Sequence, residues 1–318
     1  MKIVVLDRTS VGEDVSAEGI ERLGEAVLYG STPDALAAER IADADIVVAN
    51  KNPMNESTLR NAGRVRLICQ LSTGYDNVDL DYCRRRGIRV CNVRGYSTAA
   101  VAQHTVALAL SVLENLPYYD RYVKSGAYGA QPRFSCFEKT WYELEGKTWG
   151  IAGMGNIGKR VAQAAQALGC RVIFYATSGR SDCREYEQVD FDGLLGQSDI
   201  LSLHCPLSDR TYHLMNREAF ARMKPEAILV NVARGAVVDT TALYEALQSG
   251  QIRGAGIDVF EKEPIAPDNP LAKLEDTGKL QLTPHMAWAS LEARRRCMEE
   301  TCRNIEAFLC GEERNIVV

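Results

Sequence analysis

The run Gly153-Met154-Gly155-Asn156-Ile157-Gly158 follows the apolar stretch 149–152 and opens a helical pattern over 156–168. Glycines at those offsets let a strand turn sharply into a helix whose exposed N–H groups face a pyrophosphate. Alone the pattern is weakly specific, but here it sits mid-chain in a strand-to-helix setting. Three ionisable residues downstream, Arg234, Glu263 and His285, fit the chemistry of hydride transfer. Together they point to nicotinamide chemistry.

Working outward, strand-like runs recur at 149–152, Arg171–Tyr175, Ile200–Leu203, 227–231, 256–259 and Leu280–Leu282. Helical patterns lie between them at 156–168, 218–223 and 241–248, the last stopped by Gly250. This is the alternation of a doubly wound nucleotide-binding domain with its glycine fingerprint on the first strand. The first hundred residues show a second alternating series. Strands are expected at 2–6, Ile46–Ala49, Leu67–Gln70 and 89–92, with helices at 16–23, 33–40, 55–62 and Leu80–Arg86. Short apolar strands alternating with helices favour a parallel sheet covered on both faces. The segment 97–113 is an almost unbroken apolar helix, capped by Ser97 or Thr98 and buried on several sides, as at a domain junction. Residues 125–140 read as an irregular connection, and 291–310 as a charged amphipathic helix.

With 318 residues the chain is long enough for two domains. A net charge of -5 gives a nucleic acid little to hold, and the basic runs 84–86 and 294–296 fall on helix faces. No run has the apolar length of a membrane span, and the start lacks a signal-peptide pattern. The ten cysteines are scattered, with no CxxC, and read as reduced thiols of a cytoplasmic protein. His104, His204 and His213 are too dispersed to suggest a zinc site, so no metal is expected.

The chain resembles the D-isomer-specific 2-hydroxyacid dehydrogenases nearly end to end. The resemblance rests on Ser72-Thr-Gly74-Tyr-Asp-Asn-Val-Asp79, the glycine run, His204-Cys-Pro-Leu207, Asn231-Val-Ala-Arg-Gly235, Asp258-Val-Phe-Glu-Lys-Glu-Pro264 and Thr283-Pro-His285. It implies an α/β protein of two doubly wound parallel-sheet domains. Residues 1–98 plus 289–318 would form a flavodoxin-like substrate (catalytic) domain, and 99–288 a Rossmann cofactor domain. The active site would lie in the cleft, 97–113 would be the interdomain helix, and the protein would be a homodimer.

The resemblance also assigns roles. His285 is the expected general acid when a 2-keto acid is reduced, since an imidazole exchanges protons near neutral pH. A carboxylate would orient it and stabilise its protonated form. Glu261 and Glu263 share one side of an extended segment, so spacing leaves both open, and the family pattern selects Glu263. Arg234, at the end of strand 227–231, would grip the substrate carboxylate with two donors. Ser72, Thr73 and Gly74 would add backbone N–H groups, and Trp288 would bound the substrate side chain or pack the hinge. Cofactor contacts are expected from Gly153, Met154, Gly155, Asn156, Ile157 and Gly158, from Cys205, Pro206 and Thr211, and from Val232, Ala233, Asp258 and His285. Cys205 has no sign of activation as a nucleophile.

The position after the second Rossmann strand normally carries a carboxylate for the adenosine ribose. Here it is Ala176, in Tyr175-Ala-Thr-Ser-Gly-Arg180. Losing that carboxylate removes repulsion toward a 2′-phosphate, which Thr177, Ser178 and Arg180 could bind. Alternatively the loop is solvated and Thr177 and Ser178 touch the ribose of NAD. The cofactor is therefore NAD or NADP.

Within the family, Gly95-Tyr-Ser-Thr98, Val101-Ala-Gln-His-Thr105 and Pro284-His-Met-Ala-Trp288 resemble the D-glycerate dehydrogenase or hydroxypyruvate reductase branch. The implied substrate is a small 2-keto acid or D-2-hydroxy acid, with hydroxypyruvate first and pyruvate (D-lactate dehydrogenase) or glyoxylate as alternatives. The competing class is a non-catalytic NAD(P)-sensing corepressor. It would show loss of the arginine, glutamate or histidine, or substantial added tails, and the chain has neither feature.

Overall fold

The computed structural model describes residues 1–274 and 278–318. Its contacts divide the chain into two units, Met1–Ser97 with Trp288–Val318, and Thr98–Ala287.

The first unit is a five-stranded sheet, all of its strand pairs parallel. Its strands are β1 (Lys2–Val5), β2 (Glu25–Leu28), β3 (Ile46–Ala49), β4 (Leu67–Gln70) and β5 (Arg89–Cys91), in the order β2-β1-β3-β4-β5. Every residue of β3 and β4 is buried, as interior parallel strands covered on both faces require. The intervening helices are α1 (Glu18–Glu21), α2 (Asp34–Arg40), α3 (Glu56–Leu59) and α4 (Leu80–Arg86). The Asp79 side chain accepts from Tyr82 N to start α4, and Gly87, at φ 65°, ends it in the left-handed conformation glycine tolerates best. β2 escapes sequence reading because its Glu-Ala-Val-Leu lies at the sheet edge, where no residue is fully buried. The expected helices over 16–23 and 55–62 contract to four residues each.

The second unit opens with α5 (Thr98–Leu113), followed by α6 (Leu116–Lys124) and α7 (Ala127–Ala130). The segment 125–140 therefore carries one helical turn, and α6 is an element that sequence patterning does not show. Then come β6 (Thr148–Ala152), α8 (Asn156–Ala167), β7 (Arg171–Tyr175), β8 (Glu187–Gln188), α9 (Phe191–Gln197), β9 (Ile200–Leu203), α10 (Arg217–Arg222), β10 (Ile228–Asn231), α11 (Thr240–Ser249), β11 (Gly254–Ile257) and β12 (Leu280–Leu282). The seven strands run in the order β12-β11-β10-β9-β6-β7-β8, all pairs parallel. The order reverses at β6, which is where a doubly wound sheet opens a crevice at its carboxyl edge. The last helix, α12 (Leu291–Leu309), belongs to the first unit, and Ser290 caps it by accepting from Ala293 N.

One strand sits two residues earlier than expected. β11 is Gly254–Ile257 rather than 256–259, paired in register from Ile228↔Gly254 to Asn231↔Ile257. The reason is tertiary. A methyl on Gly254 would come within 2.6 Å of Val112, and one on Gly256 within 2.9 Å of Leu108. The bare backbone of β11 is what lets α5 pack down on the sheet.

Candidate active site

Three glycines shape the β6–α8 turn in three different ways. Gly153 has φ +98°, and a Cβ there would lie 2.9 Å from the backbone of His204 and Cys205. A Cβ on Gly158 would lie 2.3 Å from the Gly153 carbonyl oxygen, so this glycine closes helix against strand. Gly155 differs, because a Cβ there would meet nothing within 4 Å. Its bareness serves no packing need of the protein and instead leaves space over the first turn of α8. No side chain caps that helix at Gly155. Open space over uncapped helical N–H groups fits a dinucleotide pyrophosphate. Met154 is buried, Ile157 packs into the core beneath, and Asn156 is exposed.

Next to this turn, β7 ends in Tyr175 and the buried Ala176. The chain then reverses, with Gly179 N–H donating to Ala176 O at 2.8 Å and Gly179 at φ +80°. The Ser178 hydroxyl donates to Arg180 O at 2.8 Å, and Thr177 is half-buried. One residue absent from the sequence reading arrives from the loop after β9. Arg210 Nη1 donates to Ser178 O at 3.3 Å. That loop is braced from within, since the buried Thr211 hydroxyl accepts from Ser208 N at 2.8 Å and donates to Pro206 O at 2.7 Å. Thr211 thus holds the loop's shape. Burial pushes the Cys205 thiol up to about 11, so it stays protonated and poorly nucleophilic. The preceding His204 is held neutral by burial, its pKa lowered to about 3.

Arg234 follows β10. The Asn231 side chain accepts from Ala233 N and donates to Arg234 O, both at 3.0 Å, which builds the turn that presents the arginine. Val232 and Ala233 lie within that turn, Ala233 buried. A Cβ on Gly235 would lie 1.9 Å from the Phe260 carbonyl carbon, so the chain after Arg234 passes directly against the segment bearing Glu261 and Glu263.

The two glutamates that spacing leaves open take separate partners. Glu263 Oε2 lies 2.7 Å from His285 Nδ1, with the two side chains 29% and 28% exposed. Its Oε1 accepts from Phe260 N at 3.0 Å. Glu261 instead accepts from Thr240 N at 2.9 Å, at the start of α11, and meets His213 Nε2 at 3.2 Å. Burial acts to raise the Glu261 pKa, but the hydrogen bonds from Thr240 and His213 outweigh it and lower the value.

His285 stands in an unusual backbone conformation, φ 52°. Asp258 explains how it is held. This carboxylate is fully buried at the end of β11 and accepts from Thr283 Oγ1 (2.6 Å), Met286 N (2.8 Å) and Ala287 N (2.9 Å). Its backbone carbonyl accepts from His285 N at 2.8 Å. The Thr283 hydroxyl in turn lies 3.1 Å from His104 Nε2. Asp258 is therefore a clamp on the turn carrying His285, a role that its place just after an apolar strand does not reveal. The cost of a non-glycine residue at positive φ is offset by those bonds.

Within the Thr98–Ala287 unit the fold thus gathers the glycine turn, Arg234, Glu263 and His285 along the carboxyl ends of β6, β10, β11 and β12. Ser72, Thr73, Gly74 and Trp288 belong to the other unit. There the Ser72 hydroxyl donates to Gly74 O at 2.6 Å and the Thr73 hydroxyl to Val93 O at 2.8 Å, just beyond β4. Trp288 packs edge-on to Tyr96, ring centroids 6.2 Å apart. Among the described residues, no single helix is long and apolar enough to cross a membrane.

Comparison with known proteins agrees with this geometry. The family model "D-isomer specific 2-hydroxyacid dehydrogenase, NAD binding domain" matches residues 106–287, more than half of the chain. A hydroxypyruvate reductase of Blautia hydrogenotrophica is 38% identical, with 100% of this chain and 99% of that protein covered. A glyoxylate reductase of Korarchaeum cryptofilum is 41% identical over 86% of this chain and 82% of its own length. Among solved structures, D-lactate dehydrogenase from Aquifex aeolicus, complexed with NAD and lactic acid, superposes with a TM-score of 0.87 at 32% identity, covering 100% of this chain and 99% of that one. An NADPH-dependent glyoxylate/hydroxypyruvate reductase from Sinorhizobium meliloti, in complex with NADP and malonate, gives 0.84 at 28% identity, covering 100% and 96%. The chain belongs to the D-isomer-specific 2-hydroxyacid dehydrogenases and is an NAD(P)-dependent oxidoreductase acting on a small 2-keto acid or its 2-hydroxy counterpart.

Proposed function

We propose that this dehydrogenase works as a glyoxylate reductase, with hydroxypyruvate as its second substrate. The order departs from the sequence expectation, which put hydroxypyruvate first. Relatives named as glyoxylate reductases, from Korarchaeum cryptofilum, Thermococcus litoralis and Pyrococcus furiosus, are 37–41% identical to it and support the change. The observation that carries the reductase reading itself is the His285–Glu263 pair at 2.7 Å, on the carboxyl edge of a sheet that also holds Arg234.

When bound over the glycine turn, a reduced nicotinamide cofactor would supply the hydride. His285 gives its proton to the carbonyl oxygen as that oxygen becomes a hydroxyl, and Glu263 keeps the ring aimed and stabilises the imidazolium before transfer. Arg234 holds the substrate carboxylate through two guanidinium donors and polarises the adjoining carbonyl. Asp258 acts through the turn it clamps, fixing where His285 stands. Met154 through Gly158, Cys205, Pro206, Val232 and Ala233 line the cofactor's path.

Initial rates with glyoxylate, hydroxypyruvate, pyruvate and longer 2-keto acids, each with NADH and NADPH, test the proposal. The highest kcat/KM is expected for glyoxylate. Dominance of pyruvate would make the protein a D-lactate dehydrogenase, and cofactor binding without turnover of any keto acid would revive a sensing role.

A second copy of this chain is the proposed partner. The segment 116–142 exposes Leu116, Phe134 (90%), Phe137 (76%) and Trp141 (52%), more apolar surface than one short segment ordinarily leaves to water. Sedimentation of the wild type should give a dimer, and a Phe134→Ser, Phe137→Ser double variant should shift it toward monomer.

A further inference from the structure

For the loop after β7 the sequence offers a 2′-phosphate site made by Thr177, Ser178 and Arg180, or else a solvated turn over an NAD ribose. The structure adds a residue to this corner that neither reading includes. The Ser178 hydroxyl is engaged in tightening its own turn onto Arg180 O. The added cation comes from another loop altogether, as Arg210. Both terminal nitrogens of its guanidinium stand 3.7 Å from where a Cβ on Gly179 would be. That is an ordinary contact distance, so the guanidinium lies directly over the turn, where glycine is called for by φ +80°.

Four features of this corner agree. The residue at the end of β7 is Ala176, so no carboxylate stands there to bind a 2′-hydroxyl or to repel a phosphate. Two arginines, 180 and 210, are exposed at the turn, and among the described residues neither guanidinium is ion-paired. The bond to Ser178 O engages one of the five guanidinium donors of Arg210, which leaves the planar fork able to meet a phosphate. Finally, Arg210 is held in place before any ligand arrives. Buried Thr211, one residue on, fastens the loop backbone through Ser208 and Pro206, and the bond to Ser178 O limits the side chain itself, so less freedom is lost on binding. A surface arginine kept only for solubility needs no such bracing.

We infer that Arg210 is the residue that selects NADPH over NADH, binding the 2′-phosphate across the 177–180 turn together with Arg180. This rests on the reductase reading only for its purpose, because the binding it describes does not depend on which acid is reduced. Arg210 touches neither the nicotinamide nor the substrate in this assignment, so it sets cofactor choice without entering the chemistry.

The test titrates wild type, Arg210→Ala, Arg210→Lys, Arg210→Glu and Arg180→Ala with NADPH, NADH and adenosine 2′,5′-bisphosphate, which carries the 2′-phosphate but no nicotinamide. Calorimetry gives the dissociation constants, and melting temperatures show that the variants stay folded. Loss of a charge-assisted hydrogen bond predicts that Arg210→Ala weakens NADPH and the bisphosphate about tenfold, with NADH changed less than about twofold. Arg210→Lys should keep part of the affinity, and Arg210→Glu should reverse the preference. Equal weakening of both cofactors would make Arg210 a brace for the loop and overturn the inference, as would unchanged NADPH affinity in Arg210→Ala. A wild type that binds NADPH tightly but turns over no keto acid would refute the proposed reductase and leave this assignment standing.

Discussion

His204 should make this protein acid-labile well above the range where carboxylates titrate. Its Nε2 lies 3.0 Å from Ser202 Oγ, which also accepts the indole N–H of the fully buried Trp149 at 2.9 Å. Its Nδ1 is inaccessible and has no hydrogen-bond partner among the described residues. His204 as a whole is half-buried, but a proton added at the enclosed Nδ1 would place a charge there without a partner among the described residues, and burial accordingly lowers the pKa from 6.5 to about 3. The sign follows from proton uptake. Below pH 6.5 the unfolded chain binds this proton and the folded protein does not, so unfolding is favoured as pH falls. The contribution is whole above pH 6.5, declines as the pH drops, and is gone below about 3. At pH 5 the loss comes to about 2 kcal/mol, and its ceiling is about 5 kcal/mol if no water relaxes the site. Against the usual stability of a folded domain, about 5–15 kcal/mol, the loss at pH 5 is large. Urea unfolding followed by tryptophan fluorescence at pH 7.5, 6 and 5 measures it, comparing wild type with His204→Gln. The variant should lose about 1 kcal/mol at pH 7.5, from the weakened bond to Ser202, and then show a flatter fall toward pH 5. All other groups cancel in the difference. Parallel loss in the two proteins between pH 7.5 and 5 would refute the reasoning, because the proton taken up would then belong elsewhere.

The glycine turn offers a contrast in which one methyl tests folding and another tests binding. Gly158→Ala places a methyl 2.3 Å from the Gly153 carbonyl and should destabilise the protein by about 1–3 kcal/mol in urea unfolding. Gly155→Ala meets nothing of the protein within 4 Å, so its melting temperature should hold while NADPH affinity drops about tenfold or more. His285→Gln should lower kcat by about 10²–10⁴-fold, a far larger effect than any change in cofactor affinity by calorimetry. Glu263→Gln should lower kcat less, by about 10–100-fold, since it removes the partner of the acid and not the acid itself.

Sequence reading succeeded wherever a local rule and the tertiary structure demanded the same residue. Ile46–Ala49, Leu67–Gln70, Arg171–Tyr175 and Ile200–Leu203 are strands over the very residues expected, because a parallel strand covered on both faces carries a mostly apolar, buried run that is legible locally. Reading failed where the demand came from a neighbour. In β11, Gly254 and Gly256 look like loop residues, yet they are glycines because Leu108 and Val112 of α5 occupy the space their side chains would fill. At the edge of the first sheet β2 lacks the burial that makes a strand legible.

The same division runs through the site. Arg234, Glu263 and His285 are visible because their motifs are local, and Gly153, Gly155 and Gly158 because a strand-to-helix turn dictates their spacing. What arranges them is not local. Asp258 is 25 residues from Thr283 and 28 from Met286, and only the closeness of β11 and β12 lets one carboxylate hold the turn of His285. Arg210 reaches Ser178 across 32 residues, because β7 and β9 flank β6 and bring their loops to one edge of the sheet. The residues proposed for the chemistry therefore lie in motifs. The reach of Asp258, itself a motif residue, to the turn of His285 and that of Arg210 to the 177–180 turn are set by strand order, so a change at either is expected to act on the acid's placement or the proposed cofactor choice without removing a residue proposed to meet the substrate.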